Sequence, residues 1–186
     1  MKHQFTKDIL LVNDAFDTGN ELISLAESTG YFAPSLIANS ENSGYIDNTR
    51  TNAAFYLDEN NIKFSPYTTK LSEIVIKACD IYKSYNPFSY GIKLRGFDIL
   101  RYSVGEKFDE HVDAIYGNKL FQNRQRSVLI YLNDDYEGGE TRFIRQELQI
   151  KPPAGSLAMF PPFYTHPHSG EPVTKGTKYV VVGWLY

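Results

Sequence analysis

The first thirty residues combine one apolar run with polar turns, and they predict a strand followed by a helix. Ile9–Val12 is continuously apolar, which is typical of a short buried strand. Thr18 followed three residues later by Glu21 is the signature of a capping box, in which each side chain bonds to the backbone of the other residue. The helix that follows is expected to end near Gly30, because glycine readily takes the left-handed conformation at a helix end.

The next sixty residues predict a variable segment and a longer helix. The region Tyr31–Tyr67 is polar over Ser40–Arg50 and contains one strand-like run, Ala53–Leu57. We interpret the region as either a surface loop or a flap over a binding site. Since proline suits the first turn of a helix, the second helix is expected to begin at Pro66 and to end before Pro87. Its apolar residues recur at helical spacing and form one stripe: Leu71, Ile74, Val75, Ala78, Tyr82 and Tyr85.

From Ile92 onward, short strand-like runs recur, and turn residues separate them. These runs are Phe97–Tyr102, Lys107–His111, Ser127–Leu132, Thr141–Ile144, Leu148–Ile150, Ser156–Phe160, Thr165–His168 and Tyr179–Tyr186. Many short strands with closely spaced turns indicate a β-sandwich or barrel, and a jelly roll is the version that offers an interior pocket. We therefore predict an α+β fold that is mainly β, with a double-stranded β-helix (jelly-roll) core and N-terminal helices packed on one sheet.

Length, charge and cysteine content narrow the class of protein. With 186 residues we expect a single domain, 1–186, with a helical support and flap region in 1–91 and the jelly-roll core in 92–186. The net charge of −3 and the lack of a long basic run argue against a nucleic-acid partner. A single cysteine, Cys79, cannot form an internal disulfide, and no apolar run is long enough for a signal peptide or a membrane span. These features predict a cytoplasmic protein without a membrane partner.

The histidines offer a candidate metal site. His111 and Asp113 are separated by one residue, so on an extended strand both side chains would point to the same face. His168, late in the chain, would add a second imidazole, and two histidines with one carboxylate form the facial triad of non-haem Fe(II) oxygenases. His166 competes with His168, because it could share the same strand face. Three histidines with one aspartate would instead suggest a cupin-like metalloenzyme, and spacing alone leaves both arrangements open.

Three further residues are candidates for binding an anionic co-substrate. Lys178 follows a turn and opens the last predicted strand. Spacing alone favours a lysine that points outward into solvent, since lysine is rarely buried. Tyr131 and Tyr102 lie on neighbouring predicted strands and offer hydroxyl donors, although either could equally be an ordinary part of the aromatic core.

The ordered motifs of the second half resemble those of the 2-oxoglutarate- and Fe(II)-dependent oxygenase superfamily, in its prolyl 4-hydroxylase-like branch. The order and spacing of these motifs agree with those of the family across about 85 residues, and a set of motifs in the correct order is more specific than any one of them. The matching motifs are Tyr102-x-x-Gly105-x-x-Phe108-x-x-His111-x-Asp113, Arg124-x-x-Ser127-x-Leu129-x-Tyr131-Leu132-Asn133, Gly138-Gly139-Glu140-Thr141-x-Phe143, Pro153-x-Gly155-Ser156-Leu157-x-x-Phe160, His168-x-Gly170-x-Pro172-Val173-x-x-Gly176-x-Lys178 and Trp184.

The resemblance implies a role for each matching position. His111, Asp113 and His168 would ligate Fe(II), and the family pattern selects His168 over His166. Lys178 would pair with the distal carboxylate of 2-oxoglutarate, with Tyr131 donating to the same carboxylate and Tyr102 lining its pocket. The substrate pocket would be lined by Tyr116, Arg124, Thr141 and Trp184.

The resemblance also implies an activity. A dioxygenase of this kind hydroxylates a substrate C–H bond, here expected to be that of a peptidyl proline, another peptide or protein residue, or a small molecule. It uses O2, releases succinate and CO2, and takes ascorbate as a candidate reductant. The regions Tyr31–Tyr67 and Ala114–Asn123 would act as lids. Two alternatives remain at this point: a non-catalytic jelly-roll module that retains a metal, and a cupin-like metalloenzyme that uses His166 as well.

Overall fold

The computed structural model describes residues 2–38, 44–89, 93–114 and 121–186. Within these ranges the chain forms two helices, α1 (Gly19–Thr29) and α2 (Ser65–Tyr85), and sixteen strands. The strands are β1 (His3–Thr6), β2 (Ile9–Val12), β3 (Ala33–Pro34), β4 (Ile37–Ala38), β5 (Gly44–Tyr45), β6 (Ala53–Leu57), β7 (Phe97–Tyr102), β8 (Phe108–His111), β9 (Arg126–Tyr131), β10 (Glu137–Gly138), β11 (Thr141–Phe143), β12 (Leu148–Ile150), β13 (Leu157–Phe160), β14 (His168–Gly170), β15 (Val173–Lys175) and β16 (Lys178–Leu185).

Two antiparallel sheets frame the interior. The larger has eight strands in the order β1-β2-β13-β9-β16-β7-β6-β3, and the smaller has four in the order β12-β11-β14-β8. Two short pairs, β10-β15 and β4-β5, complete the strand pairing of the described residues. Strands from both halves of the chain share the large sheet, while the predicted division near residue 92 stays a prediction.

The large sheet separates two apolar layers, because side chains alternate between the faces of a strand. On β9, Val128 and Ile130 belong to the cluster that includes α1 and α2, while Leu129 and Tyr131 face the other way. The helices contribute their buried stripes to the first cluster: Leu22 and Ala26 from α1, and Leu71, Ile74, Val75, Ala78 and Tyr82 from α2. The helices therefore pack on one face of the sheet, as the sequence predicts, and the opposite face is left for a site.

Two local predictions are wrong. Thr18 precedes α1 but makes no side-chain capping hydrogen bond, and its hydroxyl is buried without a partner among the described residues. The strand predicted over Thr165–His168 begins only at His168. Pro167 has no backbone N–H to donate to a sheet, and the N–H of His166 instead closes a turn onto the carbonyl of Phe163 at 2.8 Å.

The turn before β13 depends on a glycine, and replacing Gly155 with alanine is expected to destabilise the fold. Gly155 has a φ of +78°, and an added Cβ would lie 2.2 Å from the carbonyl oxygen of Phe16. We expect the free energy of unfolding to fall by about 2–4 kcal/mol, since left-handed strain and a backbone clash add together. Urea denaturation would measure this loss.

Gly30→Ala provides the matched control for that variant. Gly30 also has a left-handed φ, of +69°, but within the described residues no atom outside its own chain neighbours lies within 4 Å of the position that an added Cβ would take. It should therefore cost only the strain, about 1 kcal/mol. Equal losses in the two variants would contradict a steric role for Gly155.

Within the described residues, neither helix is both long enough and apolar enough to cross a membrane.

Candidate metal centre

His111 and His168 face each other across neighbouring strands of the small sheet. The register pairs His168 of β14 with His111 of β8, and their ring centroids are 4.3 Å apart. Nδ1 of His111 lies 2.8 Å from the carbonyl oxygen of Asp109, and Nδ1 of His168 lies 3.1 Å from that of His166. Because a carbonyl oxygen can only accept, each Nδ1 carries the ring proton, and each Nε2 keeps a free lone pair.

Asp113 completes a cluster with these two imidazoles. Its carboxylate oxygens lie 3.7 Å from Nε2 of His111 and 3.7 Å from Nε2 of His168. One ligand atom from each of the three residues lies within 4.8 Å of the other two. Two imidazoles and one carboxylate are the donor set of the non-haem Fe(II) facial triad. The fixed tautomers of both rings give this arrangement the outer-shell support that metal sites require.

Asp113 reaches the cluster by contacts other than the predicted strand alternation. Strand β8 ends at His111, two residues earlier. The backbone N–H of Asp113 donates to the carbonyl of Pro162 at 3.0 Å, and the Ser127 hydroxyl, on β9 of the large sheet, donates to its Oδ2. Arg124 donates to its carbonyl oxygen at 2.9 Å. The carboxylate is therefore held between the two sheets.

The electrostatic environment favours the metal-binding forms of these groups. Burial lowers the pKa of His111 well below its usual range, and the charge of His168 lowers it further. Burial by itself would raise the pKa of Asp113, but the charges of His168, His111 and Arg124 outweigh it and hold that pKa below its ordinary value. A neutral imidazole and an ionised carboxylate are the species that bind a divalent cation.

His166 is buried but lies outside the cluster. Its Nε2 lies 2.9 Å from the carbonyl oxygen of Lys7, and its Nδ1 lies 3.0 Å from the hydroxyl of Thr165. Both ring nitrogens are thus used in hydrogen bonds that tie the N-terminal hairpin to the turn before β14. Among the described residues, the group able to hold a metal comprises His111, Asp113 and His168 alone.

Lys178 points inward, contrary to the expectation from spacing. The residue is only 3% exposed, and its Nζ donates to the carbonyl of Gly139 at 2.7 Å. The ammonium lies over the rings of Tyr102 and Tyr131, at 5.2 and 5.7 Å from their centroids. Burial lowers the pKa of Lys178 to about 8, against the opposing charge of Glu140. A buried ammonium has three donors, so it would be stabilised by an anionic ligand.

One cavity joins the metal cluster to this lysine. Its volume is about 470 Å³, and His111, Asp113, His168 and Lys178 all line it. Four of the other predicted residues also line it: Tyr102, Arg124, Thr141 and Trp184. An anionic molecule that contacts Lys178 could therefore extend to a metal at the cluster without leaving the cavity.

Tyr131, unlike the other candidates for co-substrate binding, does not line the cavity. Its hydroxyl is buried and donates to Oγ1 of Thr141 at 2.8 Å. Thr141 lines the cavity, whereas Tyr131 lies behind it. Burial raises the pKa of the Tyr131 phenol above its ordinary value, so the hydroxyl remains protonated and able to donate.

The candidate substrate region lies only partly within the described residues. The guanidinium of Arg124 lies 3.6 Å from the ring centroid of Trp184 and 4.0 Å from that of Phe121. Tyr116 lies outside the described residues, as do residues 115–120 of the predicted lid. Residues 39–43 of the other lid also lie outside them, although Leu36 and Tyr45 on either side of that gap line the cavity.

Two cavity residues were missed at the level of sequence. Asp98 and Arg50 both line the cavity. Asp98 could have been found from the sequence, because it is a charged residue on the same strand face as the apolar Leu100 and Tyr102. Arg50 lies in a polar stretch that contains no periodic pattern, so nothing local marked it.

Ser127→Ala should weaken metal binding without removing a ligand. The Ser127 hydroxyl donates to the Asp113 carboxylate, and loss of such an outer-shell partner typically costs about 10- to 100-fold in metal affinity. Titration with Mn(II) or Fe(II) under anaerobic conditions would measure the change. Ser127→Thr retains the hydroxyl and should restore most of the affinity. An alanine variant with unchanged affinity would show that the hydroxyl does not orient the carboxylate.

The second half of the chain matches the family model of the 2OG-Fe(II) oxygenase superfamily over residues 97–186. The chain is 34% identical over 125 residues to probable prolyl 4-hydroxylase 9 of Arabidopsis thaliana, covering 53% of this chain and 42% of that protein. It is 32% identical over 118 residues to a PKHD-type hydroxylase of Prochlorococcus marinus, covering 61% of this chain and 52% of that protein. The chain thus spans about half the length of these relatives.

The fold is also similar to that of a solved structure. A prolyl hydroxylase from Trichoplax adhaerens, determined in complex with a hypoxia inducible factor oxygen degradation domain peptide fragment, superimposes with a TM-score of 0.79 at 16% identity. The match covers 97% of this chain and 84% of that one. This likeness confirms the predicted jelly-roll core.

Proposed function

We propose that this chain is a 2-oxoglutarate- and Fe(II)-dependent dioxygenase of the prolyl hydroxylase type and a member of the 2OG-Fe(II) oxygenase superfamily, whose family model matches residues 97–186. The observation that carries the proposal is the shared cavity, in which a buried lysine and a His-Asp-His cluster line the same space. A metal site alone would suit many proteins. The combination suits a reaction in which a dicarboxylate must be held at both ends.

His111, Asp113 and His168 would hold the iron. Both imidazoles present an unprotonated Nε2, and the carboxylate lies between them at 3.7 Å from each. Three protein ligands on one side would leave the other side of the ion free for co-substrate and O2. When bound, Fe(II) and 2-oxoglutarate supply the oxidative chemistry: one oxygen atom of O2 enters the substrate C–H bond, and the other enters succinate as CO2 is released.

Lys178 would bind the distal carboxylate of 2-oxoglutarate. Tyr102 contacts the lysine from the adjacent strand, and Thr141, which accepts a hydrogen bond from Tyr131, lines the same end of the cavity. In this arrangement Tyr131 would act by orienting the Thr141 hydroxyl. Burial of the whole group excludes water, which strengthens the electrostatic attraction between ammonium and carboxylate.

A peptidyl proline is the substrate that the relatives favour. One relative is named a probable prolyl 4-hydroxylase, and the Trichoplax prolyl hydroxylase was determined in complex with a peptide fragment. In this chain Leu36, Tyr45 and Trp184 line the cavity, with Arg124 stacked on Trp184. A lining of aromatic and aliphatic side chains with guanidinium groups suits an extended peptide that presents a proline ring.

Two other functions are less well supported. A non-catalytic metal-binding module would have no use for a desolvated lysine in the cavity, and such a charge is costly to bury. A cupin-like site using His166 would need that ring to turn from its partners Lys7 and Thr165.

The direct test measures succinate formation from 2-oxoglutarate with Fe(II), O2 and ascorbate, in the presence of proline-containing peptides. We expect succinate formation to rise with peptide and to match the loss of O2 and the appearance of hydroxyproline by mass spectrometry. His111→Ala should remove the signal. Absence of 2-oxoglutarate binding by titration, together with absence of turnover on every peptide, would overturn the proposal.

A further inference from the structure

Asp98 lies on the cavity face of the large sheet, beside the metal end of the cavity. Asp98 of β7 is paired with Val182 of β16, and Val182 is paired with Leu129 of β9, so these three side chains form one row across the cavity floor. The neighbouring row contains Trp184 and Ser127, and Ser127 contacts the proposed iron ligand Asp113. Ser127 therefore lies two residues further along the sheet from Asp98, about 7 Å, and two strands across it, about 10 Å.

The opposite end of the cavity is farther from Asp98. Lys178 is paired with Tyr102, four residues along β7 from Asp98 and hence about 13 Å away along the sheet. A co-substrate carboxylate at Lys178 would therefore leave Asp98 at the end where a substrate enters. An anionic co-substrate would in any case be repelled by the Asp98 carboxylate.

The Asp98 carboxylate receives no hydrogen bond and forms no ion pair within the described residues. The positive charges of Arg50 and Arg124 act on this carboxylate, but both guanidiniums donate their hydrogen bonds to other groups. Arg50 donates to Asn52 at 3.2 Å and to the carbonyl of Leu36 at 2.9 Å, and lies over the ring of Phe108. Arg124 donates to Asp113 and Tyr186.

The surroundings make an unpartnered carboxylate costly. Its neighbours Leu100 and Val182 line the cavity and offer no donor, and Tyr56, the partner of Asp98 on β6, makes no hydrogen bond to the carboxylate within the described residues. Burial raises the pKa of Asp98, while the charges of Arg50 and Arg124 lower it. A partly buried carboxylate keeps its acceptor capacity for a donor that arrives from the cavity, and a charge-assisted hydrogen bond is among the strongest available.

Resting on the proposed function, we infer that Asp98 binds an N–H donor of the substrate and is a specificity-determining residue of this enzyme. The donor can come from two sources, the main-chain amide of a peptide or the ammonium of a neighbouring side chain. In either case a substrate that lacks this N–H leaves a partly buried acceptor without a partner, and a site built to hydrogen-bond a substrate group discriminates strongly against an analogue that lacks it.

Binding without turnover tests the inference. The protein is loaded with Mn(II) and 2-oxoglutarate without O2, and peptide binding is followed by fluorescence of Trp184, the single tryptophan, which lines the cavity. Proline-containing octapeptides are compared in three forms: with lysine flanking the proline, with norleucine in its place, and with norleucine plus N-methylated flanking amides. The first comparison removes the ammonium, and the second removes the main-chain N–H.

We expect peptide affinity to fall in only one of the two comparisons. Removing the recognised N–H should weaken binding to the wild-type protein by about 10- to 100-fold. In Asp98→Leu, which removes the acceptor, the two forms should bind within twofold of each other. Asp98→Asn retains a neutral acceptor and should discriminate by about tenfold or less. If Asp98→Leu does not fold, the comparison of Asp98→Asn with the wild type replaces it as the test.

Asp80→Asn is the matched control, because it neutralises a carboxyl on α2, on the other side of the large sheet. It should discriminate like the wild type. The inference is overturned when the wild type binds all three forms equally or binds none, and also when Asp98→Leu keeps the discrimination. Succinate formation with Fe(II) is a separate readout. A peptide that binds through Asp98 but is not hydroxylated would contradict the proposed function alone.

Discussion

Replacing His168 with alanine should abolish iron binding and, with it, 2-oxoglutarate turnover. The side chain supplies one of three proposed ligand atoms, at 3.7 Å from the Asp113 carboxylate. Its removal leaves two protein ligands and should reduce metal affinity by well over the roughly 100-fold that loss of an outer-shell partner costs. Anaerobic Fe(II) titration and succinate formation would report the two losses together.

His166→Gln is the control that makes this result specific. His166 is two residues away, is equally buried and has a ring of the same chemistry, but it bonds to Lys7 and Thr165. The variant should bind one iron per chain and lose only stability, by about 1–3 kcal/mol for its buried hydrogen bonds. Loss of iron in His166→Gln and its retention in His168→Ala would reverse the assignment, and loss of iron in both variants would favour the cupin-like alternative.

Lys178→Met should raise the 2-oxoglutarate concentration that the enzyme requires while iron binding survives. Methionine keeps the length of the side chain in the buried site but removes the ammonium, and hydrogen bonds to charged groups contribute about 1.5–3 kcal/mol. The Kd for 2-oxoglutarate should therefore rise by about 10- to 100-fold. Calorimetry with Mn(II) in place of Fe(II) would measure both affinities. Equal loss of both would mean that Lys178 supports the fold rather than the co-substrate.

The same lysine predicts a pH dependence. Since burial lowers the pKa of Lys178 to about 8, the free protein carries the cation below that pH and loses it above. Affinity for 2-oxoglutarate should therefore fall as the pH rises through about 8. Lys178→Arg provides the comparison, because a guanidinium stays protonated in this range. Whatever affinity that variant has should show no inflection near pH 8.

The predicted elements agree with the structure where the pattern was local. Ile9–Val12, Ala53–Leu57 and Phe97–Tyr102 are strands with the predicted bounds, because each run has the apolar character of a buried strand. The helix opened by Pro66 begins at Ser65. The capping box at Thr18 failed because its two residue types are necessary for that motif but do not fix the backbone conformation that it needs.

The candidate site was predictable to the extent that its chemistry is carried by residue type. His111, Asp113 and His168 could be recognised as metal-binding groups, and the ordered motifs indicated which ones belong together. The contacts that hold Asp113, from Ser127 and Pro162, could not be derived in this way. They join segments that are distant in the chain, and their geometry depends on how the two sheets pack.

By itself, the sequence determined the donor types, their order along the chain and the strands that carry them. Only the tertiary structure decided that Lys178 faces inward, that the ring of His166 is used in other hydrogen bonds and that Asp98 lies open to the cavity. The physical reason is that local spacing fixes which residues share a face of one strand. Whether that face meets solvent, a neighbouring sheet or a cavity depends on burial and on partners from elsewhere in the chain.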